Sequence, residues 1–280
     1  MIANQSSKSS RAKAVLSIWF SNAKGWWAAA LVAQVAVSLA AAITVVTHAL
    51  SPEWGLTFLV VSVVGSICQW RSDSLRQRAE TLLRHVEIEE GLGWEINLKV
   101  LSDYLAMAIP VEPGSKVRAR EQGSFYASTR PRGPVRALEN LQESAWWTQH
   151  LASFVGWIAL LSTLGLGLVA LWSLLVALSV LGSASPIMVS NVIAAVVALI
   201  FAGNLVRLPC DYFAFSHDAK EFDGLANALA KSGTPTENDA LRLVADYQLR
   251  RAMGPPLPDW AWRLRRKRLN RVWKETRKDG

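Results

Sequence analysis

The chain has 280 residues, 51% hydrophobic and only 19% charged, with a formal net charge of +8 and a mean hydropathy of +0.20. That balance, with the grouping of the apolar residues, excludes a purely soluble chain as well as a disordered or fibrous one. Residues 25–51 carry no charge, 54–70 follow after the single Glu53, and 144–206 form a 63-residue stretch without Asp, Glu, Lys or Arg. Uncharged apolar runs of about 18 residues or more read as membrane spans.

In chain order, residues 1–25 form a polar, basic N-terminal segment. The apolar run after it is too long for the core of a cleaved signal peptide. Residues 26–50 are the first expected transmembrane helix. Ser51-Pro52-Glu53 is a turn-and-restart signal, and residues 54–70 form a second, short span. Residues 71–149 make a cytoplasmic insert. Its helix, 72–108, carries Leu75, Leu82, Val86, Leu101 and Leu105 at helical multiples, with Gly91 and Gly93 interrupting. The second span therefore runs on into this helix. A Pro- and Gly-rich loop follows at 110–134, and Pro134 opens a helix leading into the third span, 151–181. Gly182-Ser183-Ala184-Ser185-Pro186 breaks it before the fourth span, 187–206. The C-terminal region, 207–280, holds a helix over 211–231, a capping-box-like start at Thr236-Glu237-Asn238-Asp239 for a helix to about Met253, and a basic tail after Gly254-Pro255-Pro256-Leu257-Pro258.

All 30 Lys and Arg lie outside the four runs: four before the first, 11 between Arg71 and Arg136, and 15 from Arg207 on. The positive-inside rule then puts both termini of a multi-pass inner-membrane protein in the cytoplasm. The expected fold is an all-α membrane protein with four transmembrane helices in a 2 + 2 arrangement. The central insert and C-terminal region form its helical cytoplasmic domain. Cys68 and Cys210 sit near cytoplasmic span ends and are expected as reduced thiols.

No phosphate loop, His-Glu-x-x-His, Cys-x-x-Cys or nucleophile elbow is present, so no catalytic residues, metal ligands or resident cofactor are expected, and the chain reads as a non-enzyme. Glu87, Glu89, Glu90 and Glu95 read as a solvated helix face. Within the runs, Gln34, Ser38 and His48 share one stripe, Ser62 and Ser66 another, and Asn191 begins a third. These are helix-packing positions, or the weakly polar lining of a conduit built from several subunits. Tyr126, Arg130, Arg132 and Arg136 put three guanidinium groups and an aromatic ring beside a helix N-terminus, the ingredients of a phosphate-and-base site. Juxtamembrane positive charge is the other reading. Arg250 and Arg251 are second candidates. The tail, 260–278, places Trp262, Leu269 and Trp273 on one helical face. It docks on the inner leaflet by that face, packs on the cytoplasmic domain, or binds nucleic acid.

Tyr126-Ala127-Ser128, then Leu138-Glu139-Asn140-Leu141-Gln142-Glu143-Ser144-Ala145-Trp146-Trp147-Thr148 running into a span, resembles the bacterial SMODS-associating four-transmembrane effector family. So does Asp246-Tyr247-x-x-Arg250-Arg251 followed by Pro255-Pro256-Leu257-Pro258-Asp259-Trp260 and a basic tail with Leu269-Asn270 and Trp273. The resemblance implies CBASS-like anti-phage defence and abortive infection. In that setting a homo-oligomer disrupts or permeabilises the inner membrane in response to a cyclic di- or oligonucleotide from a neighbouring nucleotidyltransferase. Its partners are then membrane lipids, further copies of itself and that nucleotide, with no nucleic-acid polymer expected. A constitutive small channel or transporter, and a membrane-anchored adaptor, are the alternatives.

Overall fold

A computed structural model of the protein describes residues 2–47, 54–107, 126–180 and 206–277, with the side chains of α1 described from Ala12 to Val37 and at Ala40, and those of α4 continuously to Gly165. Among the described residues there are seven helices and no strand: α1 (Ile2–Thr47), α2 (Trp54–Leu92), α3 (Leu98–Met107), α4 (Pro134–Val180), α5 (Arg207–Lys231), α6 (Glu237–Met253) and α7 (Asp259–Arg277). The all-α expectation agrees with this.

The four-span architecture does not. Among the described residues, no helix is long and apolar enough to cross a membrane. The apolar part of α2 ends at Trp70, before Arg71, after 17 residues, or roughly 25 Å against a hydrocarbon core of about 30 Å. Transmembrane status for 26–50, 54–70 and 151–181 is corrected accordingly, and with it the multi-pass inner-membrane localisation and the cytoplasmic assignment of the termini. The expected fourth span at 187–206 lies outside the described residues except for Val206, as do His48 and Asn191.

The chain divides into two compact units. Unit 1 comprises 1–23, 73–152 and 214–280. Its first core joins the N-terminal part of α1 to α2. Ala12, Val15, Leu16, Trp19 and Ala23 recur at three-, four- and seven-residue multiples and meet Leu75, Ala79, Leu82 and Val86. The segment expected as a polar, basic N-terminus is thus helix with a buried stripe, and Tyr104 of α3 packs edge-on against Trp19 at 5.8 Å. A second core gathers Leu92, Ala137, Leu138, Leu141 and Ala145 with Ala226, Ala240, Val244 and Tyr247. A third places Leu269 and Trp273 of α7 against Trp146 and Leu151 of α4.

Local chemistry sets the boundaries. α2 ends at Leu92 because Gly93 takes φ +86°, a left-handed conformation that closes the helix. Pro134 occupies the first position of α4, where its missing N–H costs nothing. Thr236 caps α6 by accepting from Asp239 N at 3.2 Å. Glu237 and Asp239 in the first turn, with Arg250 and Arg251 in the last, suit the helix dipole. Unit 2 comprises 24–72 and 153–213. In it α2 approaches α1 where Gly65 faces Ala33, and α4 meets α5 where Gly156 faces Tyr212 and Phe213.

Gly91 marks a close approach of α2 and α4, since a Cβ there would lie 2.9 Å from both Cα and Cβ of Ala137. Gly224, in α5, has nothing within 4 Å of the same position. Gly91→Ala should therefore lower stability by about 1–3 kcal/mol through overpacking. Gly224→Ala should raise it by about 0.5–1 kcal/mol through helix propensity. Opposite shifts in thermal unfolding midpoint check this. Equal shifts would mean that the two helices do not touch at Gly91.

Candidate functional site: a buried arginine and the loop stapled over it

α2 carries Arg76, Glu80 and Glu87 at four- and seven-residue intervals, so they share one side of the helix. α6 supplies Tyr247, Gln248 and Arg251 at three- and four-residue spacing. Where the helices meet, Arg251 Nη1 and Nη2 donate to the two oxygens of Glu87 at 2.7 and 3.0 Å, and its Nε donates to Glu80 at 3.1 Å. Only 12% of the Arg251 side chain and 9% of each carboxylate side chain reach the surface. Arg76 Nη2 donates to the Arg251 carbonyl at 2.9 Å. The guanidinium also lies 5.6 Å from the centre of the Tyr247 ring. The Tyr247 hydroxyl shares hydrogen bonds with Ser144 and Thr148 of α4 at 3.1 and 3.0 Å, so the cluster joins three helices.

Glu87 has two further donors, Tyr126 OH at 2.5 Å and Gln248 Nε2 at 2.8 Å. Burial pushes its pKa up, but the charge and hydrogen bonds of Arg251, with those of Tyr126 and Gln248, outweigh burial and hold it below 4.5. Tyr126 moves the other way: burial and the neighbouring Glu87 carboxylate raise its phenol well above 10.

Tyr126 begins a segment, 126–133, held down along its length. Ala127 N donates to Glu143 at 2.7 Å and Ser128 Oγ to Glu139 at 2.6 Å. Arg130 pairs with Glu139 at 2.7 Å, and Gly133 N donates to the Gly91 carbonyl at 2.8 Å. Beneath it, Glu87, Tyr126, Asn140, Ser144 and Tyr247 line a cavity of about 20 Å3. That is room for about one water and far too little for a nucleobase. The side chain of Asn140 is buried there with neither amide atom partnered.

Among the residues proposed from sequence, the fold brings Tyr126 and Arg251 onto one carboxylate. It also joins Arg130 to Arg136, whose Nη1 donates to the Arg130 carbonyl at 2.8 Å. Arg132 lies over Gly93, and its charge acts on Glu89. Arg250 turns away to Asp218 at 3.8 Å. Arg251 is thus enclosed, while Arg130, Arg132 and Arg250 are exposed. The carboxylates expected on a solvated face are partly interior: Glu89 and Glu90 are buried, and Lys13 of α1 pairs with Glu90. Sequence reasoning missed Glu80, Gln248 and Ser144 as members of this cluster, and it placed Glu87 on a solvated face although Glu87 turns inward to Arg251. The regular spacing of charges on α2 was the available signal.

In unit 2, the Ser62 and Ser66 hydroxyls donate back to the carbonyls of Phe58 and Ser62 at 2.8 and 3.0 Å. Both line an open groove of about 350 Å3 walled by Val63, Ile67 and Trp70. Gln34 is half-buried in α1, and the side chain of Ser38 lies outside the described set. Among the described residues no cluster of three His, Cys, Asp or Glu suits a metal.

Because the folded pKa of Glu87 lies below its ordinary 4.5, its contribution is complete above that pH and is lost as pH falls through the folded value. Acid titration of unfolding free energy should show this loss below about pH 4.5. Glu87→Gln should be less stable at neutral pH but flatter below it. Parallel curves would show that Glu87 is not held ionised by Arg251. No protein-family model, curated protein or solved structure matches the chain.

Proposed function

We propose that the chain is a non-enzymatic, nucleotide-responsive effector that acts by self-association through the outward faces of α2 and α4. One observation carries this reading. Leu56, Leu59, Val60, Val63, Val64, Ile67 and Trp70 of α2 are at least half exposed, and a matching series runs along α4 from Trp157 to Leu175. At roughly 150–250 Å2 for a large side chain, the two faces offer on the order of 1,000 Å2 of apolar surface. A standard interface takes about 800 Å2 from each partner, whereas a monomer rarely leaves more than a few hundred in water. The occupant is a second copy of the chain, with the groove beside Ser62 and Ser66 receiving apolar side chains.

The signal comes from the family resemblance: a cyclic di- or oligonucleotide in anti-phage defence. Arg130, Arg132 and Arg136 are its contacts. Carboxylates already hold this segment, so ligand phosphates would replace Glu139 at Arg130 and free the segment from α4. Arg251 is left out of the contact set because Glu80 and Glu87 occupy it.

Light scattering on the purified full chain should give a mass above the monomer. Val63→Arg together with Leu164→Arg should return it to monomer without lowering helix content. Arg132→Ala should weaken binding of the cognate cyclic dinucleotide by roughly tenfold or more, as loss of a charge-assisted contact worth about 1.5–3 kcal/mol requires. A parent chain that is monomeric with and without nucleotide would overturn the self-association reading. Unchanged nucleotide affinity in the Arg132 variant would overturn the ligand reading alone.

A further inference from the structure

α7 packs on unit 1 by one face only. Ala261 and Leu269 are buried, and Trp273 lies 5.1 Å from the ring of Trp146. The apolar face expected to enter a lipid leaflet is therefore already occupied by α4. The opposite face is built differently. Trp260, Leu264, Lys267, Arg271 and Lys274 follow at spacings of three and four, with Arg263 beside Leu264, so they line up along the helix, and all six are exposed. Leu264 is 68% and Trp260 42% exposed. The helix holds eight Arg and Lys against Asp259 and Glu275 alone.

From this geometry we infer that the outward face of α7 is a docking surface for anionic phospholipid headgroups, held at the surface rather than inserted. Four cations in a row along about three turns match a sheet of phosphates. Each Lys or Arg near such a surface contributes a favourable, salt-screened attraction. Trp260 and Leu264 stand among the cations, and an aromatic ring with a branched apolar side chain suits the headgroup boundary. A nucleic-acid backbone would also attract the charge. But the face offers one apolar ridge between cations and none of the amide side chains that read base edges except Asn270. Packing of Leu269 and Trp273 on α4 keeps the helix folded and its charged side outward before any partner arrives, so little ordering cost attends binding.

Flotation of the full-length chain with vesicles tests this, comparing pure phosphatidylcholine with phosphatidylcholine mixed with phosphatidylglycerol. Binding is expected only to the anionic vesicles and should fall steeply as salt is raised. Reversing all four outward charges (Arg263→Glu, Lys267→Glu, Arg271→Glu and Lys274→Glu) should weaken it at least about a hundredfold. Its thermal midpoint should stay near that of the parent, because none of the four side chains is buried. A control variant, Trp273→Ala, should lower the midpoint instead. Equal binding to both vesicle types would show that the apolar faces of α2 and α4, not α7, hold the lipid. Unchanged binding by the reversed variant, or a clear preference for duplex DNA at matched phosphate concentration, would also overturn the inference.

Discussion

A guanidinium taken out of water needs partners for its charge and for its N–H groups, and Arg251 finds them only by drawing α2, α4 and α6 together. Burying such an ion alone costs several kcal/mol, so the helix carrying it has no good position unless Glu80 and Glu87 are there to meet it. The same two carboxylates would be equally costly without Arg251. This mutual dependence fixes the register of α6 against α2. Registers shifted by one helical turn would leave either the cation or a carboxylate unpaired in the interior. Apolar contacts such as Val244 with Leu141 add stability but tolerate sliding, whereas a bidentate pair at 2.7 and 3.0 Å does not.

The loop over this cluster inherits its position from it. Tyr126 is oriented by Glu87, which is itself held by Arg251, and the rest of the segment follows through Glu143, Glu139 and the Gly91 carbonyl. The arginines that face solvent are therefore presented on a strap whose anchor is interior. Any anion that draws Arg130 from Glu139 acts on an element tied into the three-helix junction. In unit 2, close contacts at Gly65 and Gly156 let helices approach, while long apolar rows on α2 and α4 are left outward. These are two different solutions within one chain, specific ionic closure in unit 1 and open apolar surface in unit 2.

Much of the helical layout was legible in the residues. Pro134, Gly93, Thr236 and the Gly254-Pro255-Pro256 stop each act within a few residues, so their effects are local and their boundaries were recovered. The continuation of α2 from its apolar half into its charged half was also readable, because nothing between Trp70 and Arg84 breaks a helix. The amphipathic stripe of α1 at Ala12, Val15, Leu16 and Trp19 was overlooked because its polar and basic neighbours dominate the composition of that segment. Hydropathy read the runs at 26–50, 54–70 and 151–181 as spans, whereas among the described residues no helix is long and apolar enough to cross a membrane. The ion cluster was least legible: Glu80, Glu87 and Arg251 lie more than 160 positions apart along the chain, and charge alone does not say which carboxylate turns inward.

A double-mutant cycle between Arg251 and Glu87 tests the central claim most directly, using Arg251→Met, Glu87→Gln and the pair, with unfolding free energy measured in denaturant. Each single variant strands a buried partner and should lose about 3–5 kcal/mol, while the double variant should lose much less than the sum. A coupling energy of about 2 kcal/mol or more would establish that the two side chains act as one unit. Additive losses, with coupling under about 0.5 kcal/mol, would contradict the account and leave the apolar core to set the register of α6 on its own.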